Sequence, residues 1–199
     1  NPFYKIPIEE LAAEEININL FLKTIKAVFS FHQDAIYSEI EIAPTEILPL
    51  TNYVYNSRIV NAEKLLSRYI SKNINPFKPC ILNYKNQYSQ IVCPPIVEMH
   101  DDKMVLCDGT HRVYTSIENG FHKISCLLVE NVKIPLPGDV NTWEKITVRK
   151  DEVPVQENFI NYKPEYLTGY TWIFNNKNTW LNKTGDHAEI LDNFTKTRK

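Results

Sequence analysis

The chain is expected to fold as an α/β (α+β) protein with an N-terminal helical element, a mixed core and an aromatic, proline-broken C-terminal extension. Three observations carry this. Ala35 to Ala43 alternates in the manner of a half-buried strand. Ile124-Ser125-Cys126-Leu127-Leu128-Val129 is an almost wholly apolar run of the kind found in central strands. Between them, the stretch from Ile96 to Val129 reads strand, helix, strand within about 30 residues.

The elements follow in order. Leu11, Ile18, Phe21, Leu22, Ile25, Val28 and Phe29 recur three, four or seven apart, which lines one face of a helix. Asn17 or Asn19 is placed to cap a second segment, so that this helix divides in two. In the strand that follows, Ile36, Ser38, Ile40 and Ile42 share one face, against Tyr37, Glu39 and Glu41. Pro44 and Pro49 bracket Thr45-Glu46-Ile47-Leu48 as a turn or a short extended piece. Asn61 to Ile70 is a short helix, capped by Asn61 and packed through Leu65, Leu66, Tyr69 and Ile70.

Pro94-Pro95 opens a hairpin: Ile96 to Met99 runs out, His100-Asp101-Asp102 turns, and Lys103 to Cys107 returns. That turn contains metal-ligand residue types, but three consecutive residues at a hairpin tip do not converge on one ion. Thr110 to Asn119 is helical and Gly120 stops it. Beyond Ile134, Pro135, Pro137, Gly138, Pro154 and Pro164 break the chain. Trp143, Tyr162, Tyr166, Tyr170, Trp172, Phe174 and Trp180 crowd the remainder, as a cover over the core. Residues 1–36, 37–133 and 134–199 therefore form the helical element, the core and the extension.

The 199 residues include 22 basic and 24 acidic ones, a formal charge of −2, with 43% hydrophobic residues. A chain of this make-up is neither disordered nor a supercharged polyanion binder, and the charge disfavours nucleic acid as a partner. No run approaches a membrane span. Cys80, Cys93, Cys107 and Cys126 show no Cys-x-x-Cys spacing, so buried, reduced thiols in a cytoplasmic protein are expected and a structural zinc is not. Oligomeric state is not legible.

Chemistry concentrates in Asp108-Gly109-Thr110-His111-Arg112, where a strand turns into a helix. Glycine permits close approach, first-turn N–H groups have no partner within the helix, and the positive end of the dipole points to the same spot. His111 and Arg112 add donors, and arginine can hold a phosphate by two parallel bonds. Asp108 can cap the helix, hold His111 or Arg112, or bind magnesium. The box is an oxyanion site, with phosphate the best fit. Ser57-Arg58 can add phosphate contacts or form a surface ion pair. No Walker loop, nucleophile elbow or dinucleotide fingerprint is present.

Pro95-Ile96-Val97, Met104-Val105-Leu106-Cys107, the box Asp108 to Arg112 and Gly120 together resemble the ParB/sulfiredoxin superfamily. The opening strand around Ile40-Glu41-Ile42 and the helix from Asn61 extend the likeness over residues 37 to 133. Members hold nucleotide phosphates with this box, so the resemblance implies ATP or ADP, with Mg²⁺, and Gly109, Thr110, His111, Arg112 and Arg58 as phosphate contacts. Sulfiredoxins carry a cysteine where this chain has Thr110. Partition proteins carry a helix-turn-helix that has no counterpart here. The closest branch, resembling free-serine kinases, implies phosphoryl transfer to a small hydroxylated metabolite. Glu46 is then the base, with Glu41 as runner-up, and His111 and Asp108 complete the catalytic set. Two alternatives stand beside it: a non-catalytic nucleotide-binding or DNA-associated module, and nucleotidyl or ADP-ribosyl transfer from NAD.

Overall fold

A computed structural model of the chain describes residues 11–28, 34–84 and 89–167. Phe29, His32, Tyr170, Trp172, Phe174, Trp180 and His187, singled out above or lying in the stretches discussed, fall outside the described residues. The fold is α+β, built on a mixed five-stranded sheet with helices.

The N-terminal stretch departs from the helical reading. Leu11–Glu15 is a strand, β1, and only Ile18–Val28 forms the helix α1. The reason is pairing: β1 runs antiparallel to β5 (Cys80–Tyr84), which pairs in turn with β6 (Ser89–Val92) in a separate three-stranded sheet. Asn17 does cap α1, its side-chain oxygen accepting the amides of Asn19 and Leu20 at 3.0 and 3.2 Å.

The main sheet has the order β2-β9-β7-β8-β3. Strand β2 (Ile36–Ile42) lies antiparallel to β9 (Ile124–Glu130), and β9 parallel to β7 (Ile96–His100). Strand β7 forms the expected hairpin with β8 (Lys103–Asp108), and β3 (Leu48–Pro49) adds a short parallel edge. The hairpin turn is Asp101-Asp102, both with positive φ (47° and 62°), which matches the twist of the flanking strands. A bulge at Ile96/Val97 leaves Cys107 as an extra residue on β8, directly before the box.

Two helices cover one face. The first, α2, spans Asn56–Ser71 and therefore starts five residues before the expected Asn61 cap. It follows β4 (Tyr53–Tyr55), which pairs in parallel with β10 (Thr147–Arg149). The second, α3 (Thr110–Glu118), crosses β7 to reach β9. Gly120, at φ 69°, ends it in a Schellman motif, with Gly120 N–H donating to Ile117 O and Phe121 N–H to Ser116 O.

Ile42, Ile47, Leu66, Val97, Leu106, Val113 and Cys126 pack between this helical layer and the sheet. On the opposite face Phe21 of α1 packs on Cys93, Ile96, Cys107, Leu127 and Val129. All four cysteines are buried and none forms a disulfide, as their apolar settings lead one to expect. Pro44–Glu46 is a 3-10 turn that packs against α3. Residues 134–167 of the C-terminal extension lie on the core: Trp143 donates its indole N–H to Ile47 O at 2.6 Å, and Phe159 packs on Leu50 and Val105. Among the described residues no helix is long and apolar enough to cross a membrane.

Candidate functional site

The box occupies the β8–α3 turn, as the sequence indicates. Asp108 is the last residue of β8 and is 8% exposed. Gly109 adopts φ 93°, and a Cβ there would meet Pro95 Cβ at 3.1 Å and Arg112 Nη2 at 3.3 Å. Only glycine satisfies both the left-handed backbone and this close approach. The partner in that approach is the proline opening β7, so part of the glycine's role is internal packing.

Arg112 sits differently from the phosphate-gripping expectation. Its side chain is 15% exposed and lies 3.8 Å from Asp108 Oδ2. Nη1 donates to Cys93 O at 2.8 Å and reaches toward Pro76 O at 3.5 Å. A largely buried guanidinium is held by satisfying its N–H groups on nearby backbone carbonyls. Arg112 therefore pins the segments around Pro76 and Cys93 to the box, and at least one arm of its fork is committed to backbone.

His111 is a donor of one kind only. Its Nε2 accepts the Tyr55 amide N–H at 3.1 Å, and its ring stacks on Tyr55 at 5.8 Å with a 25° interplanar angle. Burial, followed by the charge of Arg58 and opposed by that of Glu152, lowers its pKa to about 4. The imidazole is neutral at pH 7. Since Nε2 accepts, the proton resides on Nδ1. His111 thus offers one neutral donor instead of a positive charge.

That contact has a geometric consequence. Tyr55 is the N-cap of α2 and His111 lies in the first turn of α3, so the imidazole stitches two helix N-termini together. Neither helix has a side-chain cap, and neither carries an acidic residue in its first turn. Two positive dipole ends therefore meet at one place, the arrangement that favours an anion. Arg58, in the first turn of α2, supplies the positive side chain. It lies over the Tyr55 ring at 5.5 Å and donates through Nε to Glu152 Oε1 at 2.9 Å. Of the two roles open to Arg58, the ion pair is the one that it makes.

Thr110 is the first residue of α3, half-buried beside His111. Glu46 is exposed on the turn that packs against α3. Glu41 is on the edge strand β2, where it lies 3.8 Å from Lys78. Among the described residues no three His, Cys, Asp or Glu side chains converge as a metal site. Asp108 is the one carboxylate of the box.

The sequence reading missed Tyr55 and Glu152. The alternation Tyr53-Val54-Tyr55 ahead of Asn56-Ser57-Arg58 marks a strand running into a helix and was the available signal for Tyr55. Nothing local marks Glu152, which meets Arg58 across 94 positions. Also missed was a part-buried pair on the α1 face of the sheet: Glu98, 4% exposed, lies 2.7 Å from Nε2 of half-buried His100. His100 is a paired strand residue, and the turn proper is confined to Asp101 and Asp102.

No protein-family model matches the chain, and no curated protein or solved structure matches it either. The resemblance to the ParB/sulfiredoxin superfamily rests on the residues quoted for it.

Proposed function

We propose that the chain is a nucleotide-dependent phosphotransferase that holds phosphates where the N-termini of α2 and α3 meet. The observation that supports this is the His111–Tyr55 contact, which brings two uncapped, acid-free helix starts together beside Arg58. Backbone amides and dipoles aimed at one spot stabilise phosphate oxygens and the charge of a transferring phosphoryl group. Thr110 and His111 Nδ1–H add neutral donors. Arg58 supplies the charge, and Asp108 and Arg112 hold the turn in shape.

In the transfer, the acceptor hydroxyl oxygen forms a bond to the terminal phosphorus of ATP, and the bond from that phosphorus to the bridging oxygen breaks. ADP leaves, and the hydroxyl proton passes to Glu46. The turn carrying Glu46 packs on α3, the helix that the box begins, and Glu46 is exposed there. A magnesium ion brought in by the nucleotide would spread the phosphate charge.

The test is a thermal-shift panel with ATP, ADP, CTP and NAD, with and without Mg²⁺, on the wild type, Arg58→Ala and Glu46→Gln. Ligand at 100 times Kd adds about 2.7 kcal/mol and raises Tm by several degrees. Arg58→Ala is expected to abolish the shift. Glu46→Gln is expected to keep it while lowering turnover of a hydroxylated acceptor about 10²- to 10⁴-fold. A nucleotide shift with no turnover in any acceptor screen favours the non-catalytic reading, to which the exposed position of Glu46 also lends weight. No shift with any nucleotide overturns the phosphate site.

A further inference from the structure

We propose that Glu152 is a built-in stand-in for the anion, holding the phosphate site closed until a phosphate group takes Arg58 from it. The inference rests on the phosphate-site reading above and adds its regulation. Glu152 reaches Arg58 with one carboxylate oxygen, Oε1, which accepts from both Nε and Nη2 of the guanidinium. A carboxylate in that fork makes the contact that a phosphate oxygen would make. It is made at the start of α2, beside the imidazole that joins the two helices, and the charge of Glu152 is felt at His111.

The segment carrying Glu152 is built as a flap with fixed ends. At one end, β10 pairs with β4, and Thr147 N–H donates to Asn52 O at 3.0 Å. At the other, Asn52 N–H donates to Asn158 O at 2.9 Å, Asn158 Oδ1 accepts the Tyr53 amide at 3.2 Å, and Thr51 bridges to Phe159. Arg149 adds a cation–π contact over Tyr53 at 4.8 Å. Between these anchors the residues from Lys150 to Gln156 are exposed, except for half-buried Val153. Their described ties to the site are the Arg58–Glu152 pair and a long 3.5 Å contact from Val153 N–H to Tyr55 Oη. Both ties end on residues of the anion site. Releasing Glu152 therefore opens the bulge without detaching the anchors, and the adjacent Asp151 and Glu152 carboxylates repel an anion while the flap is down.

The pair is solvent-exposed, with side-chain exposures of 52% and 60%, so it is a weak latch. Exposed ion pairs of this kind shift equilibria by less than about tenfold and fade with salt. A latch of that strength filters weak anions and yields to a diphosphate, which presents several charged oxygens to the same fork and helix ends.

The probe is inorganic pyrophosphate, titrated calorimetrically at low ionic strength into the full chain. The proteins are the wild type, Glu152→Gln, Arg58→Ala and, as a neighbouring charge control, Asp151→Asn. Glu152→Gln is expected to bind about 3-fold or more tightly than the wild type, with the gain vanishing at 1 M salt. Asp151→Asn is expected to gain clearly less, and Arg58→Ala to lose binding. Equal gains from Glu152→Gln and Asp151→Asn overturn the stand-in and leave only general repulsion. Binding by the wild type with no gain in Glu152→Gln also overturns it, while the phosphate-site reading stands. Absence of binding in the wild type and in Glu152→Gln alike overturns both.

Discussion

The amide of Tyr55 donates to Nε2 of His111 at 3.1 Å, while the two rings stack. One imidazole thereby fixes the tautomer, the start of α2 and the spacing between two helix N-termini. Replacing His111 by Ala leaves a buried backbone N–H without its acceptor. The expected cost is about 1–3 kcal/mol in urea-denaturation free energy. The same substitution is expected to weaken pyrophosphate binding, because the two helix starts are no longer joined.

His111 also predicts a pH dependence. Its pKa falls from 6.5 to about 4 on folding, chiefly through burial. Between those values the unfolded chain binds more protons than the folded one, so stability is full above pH 6.5 and declines as pH drops toward 4. The contribution is on the order of 3 kcal/mol at most. Denaturation curves of wild type and His111→Gln across pH 4 to 7 should diverge, the variant losing this part of the slope. Parallel curves would refute a buried neutral imidazole.

Gly109 and Gly120 make a matched pair for backbone strain. Both have positive φ, but a Cβ at Gly109 meets Pro95 at 3.1 Å whereas one at Gly120 meets nothing within 4 Å. Gly120→Ala is expected to cost about 1–2 kcal/mol from the left-handed backbone alone. Gly109→Ala is expected to cost more, by about 1–3 kcal/mol, because the proline must also move. Equal penalties in chemical denaturation would show that the Pro95 approach is slack.

Arg112→Lys tests whether the guanidinium is a pin. Nη1 holds Cys93 O at 2.8 Å, and a shorter point charge cannot also span to Pro76 O and Asp108. A loss of about 1.5–3 kcal/mol is expected, with lysine rescuing little of what alanine loses. Because this residue supports the turn, loss of nucleotide binding in an Arg112 variant reports on shape as well as contact. Arg58 is the cleaner probe.

Tyr37 offers a stabilising change. Its hydroxyl is buried with no hydrogen-bond partner among the described residues, and burial together with the charge of Glu98 raises its pKa to about 12. Tyr37→Phe removes a desolvated polar atom and keeps the ring that packs on the α1 face. It is expected to be neutral or to stabilise by about 1–2 kcal/mol, read as a rise in the denaturation midpoint. A marked loss would reveal a partner for that hydroxyl.

By itself the sequence determined the parts governed by local periodicity and turn chemistry. The strand Ile36–Ile42, the Asp101-Asp102 hairpin, the apolar β9 and the glycine stop of α3 are all where pattern places them, although Ile36 is exposed and Tyr37, on the other face, packs on the core. Each needs only neighbours in the chain, and each is present. The box at the strand–helix turn was legible for the same reason. The tertiary structure decided what depends on distant partners. Leu11 to Glu15 is strand because β5 lies alongside it, and α2 starts at Asn56 because β4 and His111 fix its beginning. The tasks of the charged residues were decided in the same way. Arg112 turned inward to donate to the carbonyls of Cys93 and Pro76, His111 is held neutral by burial, and Arg58 found Glu152 across 94 positions. Spacing names the side chains able to meet an anion, but burial and partner geometry choose which of them carry charge to it.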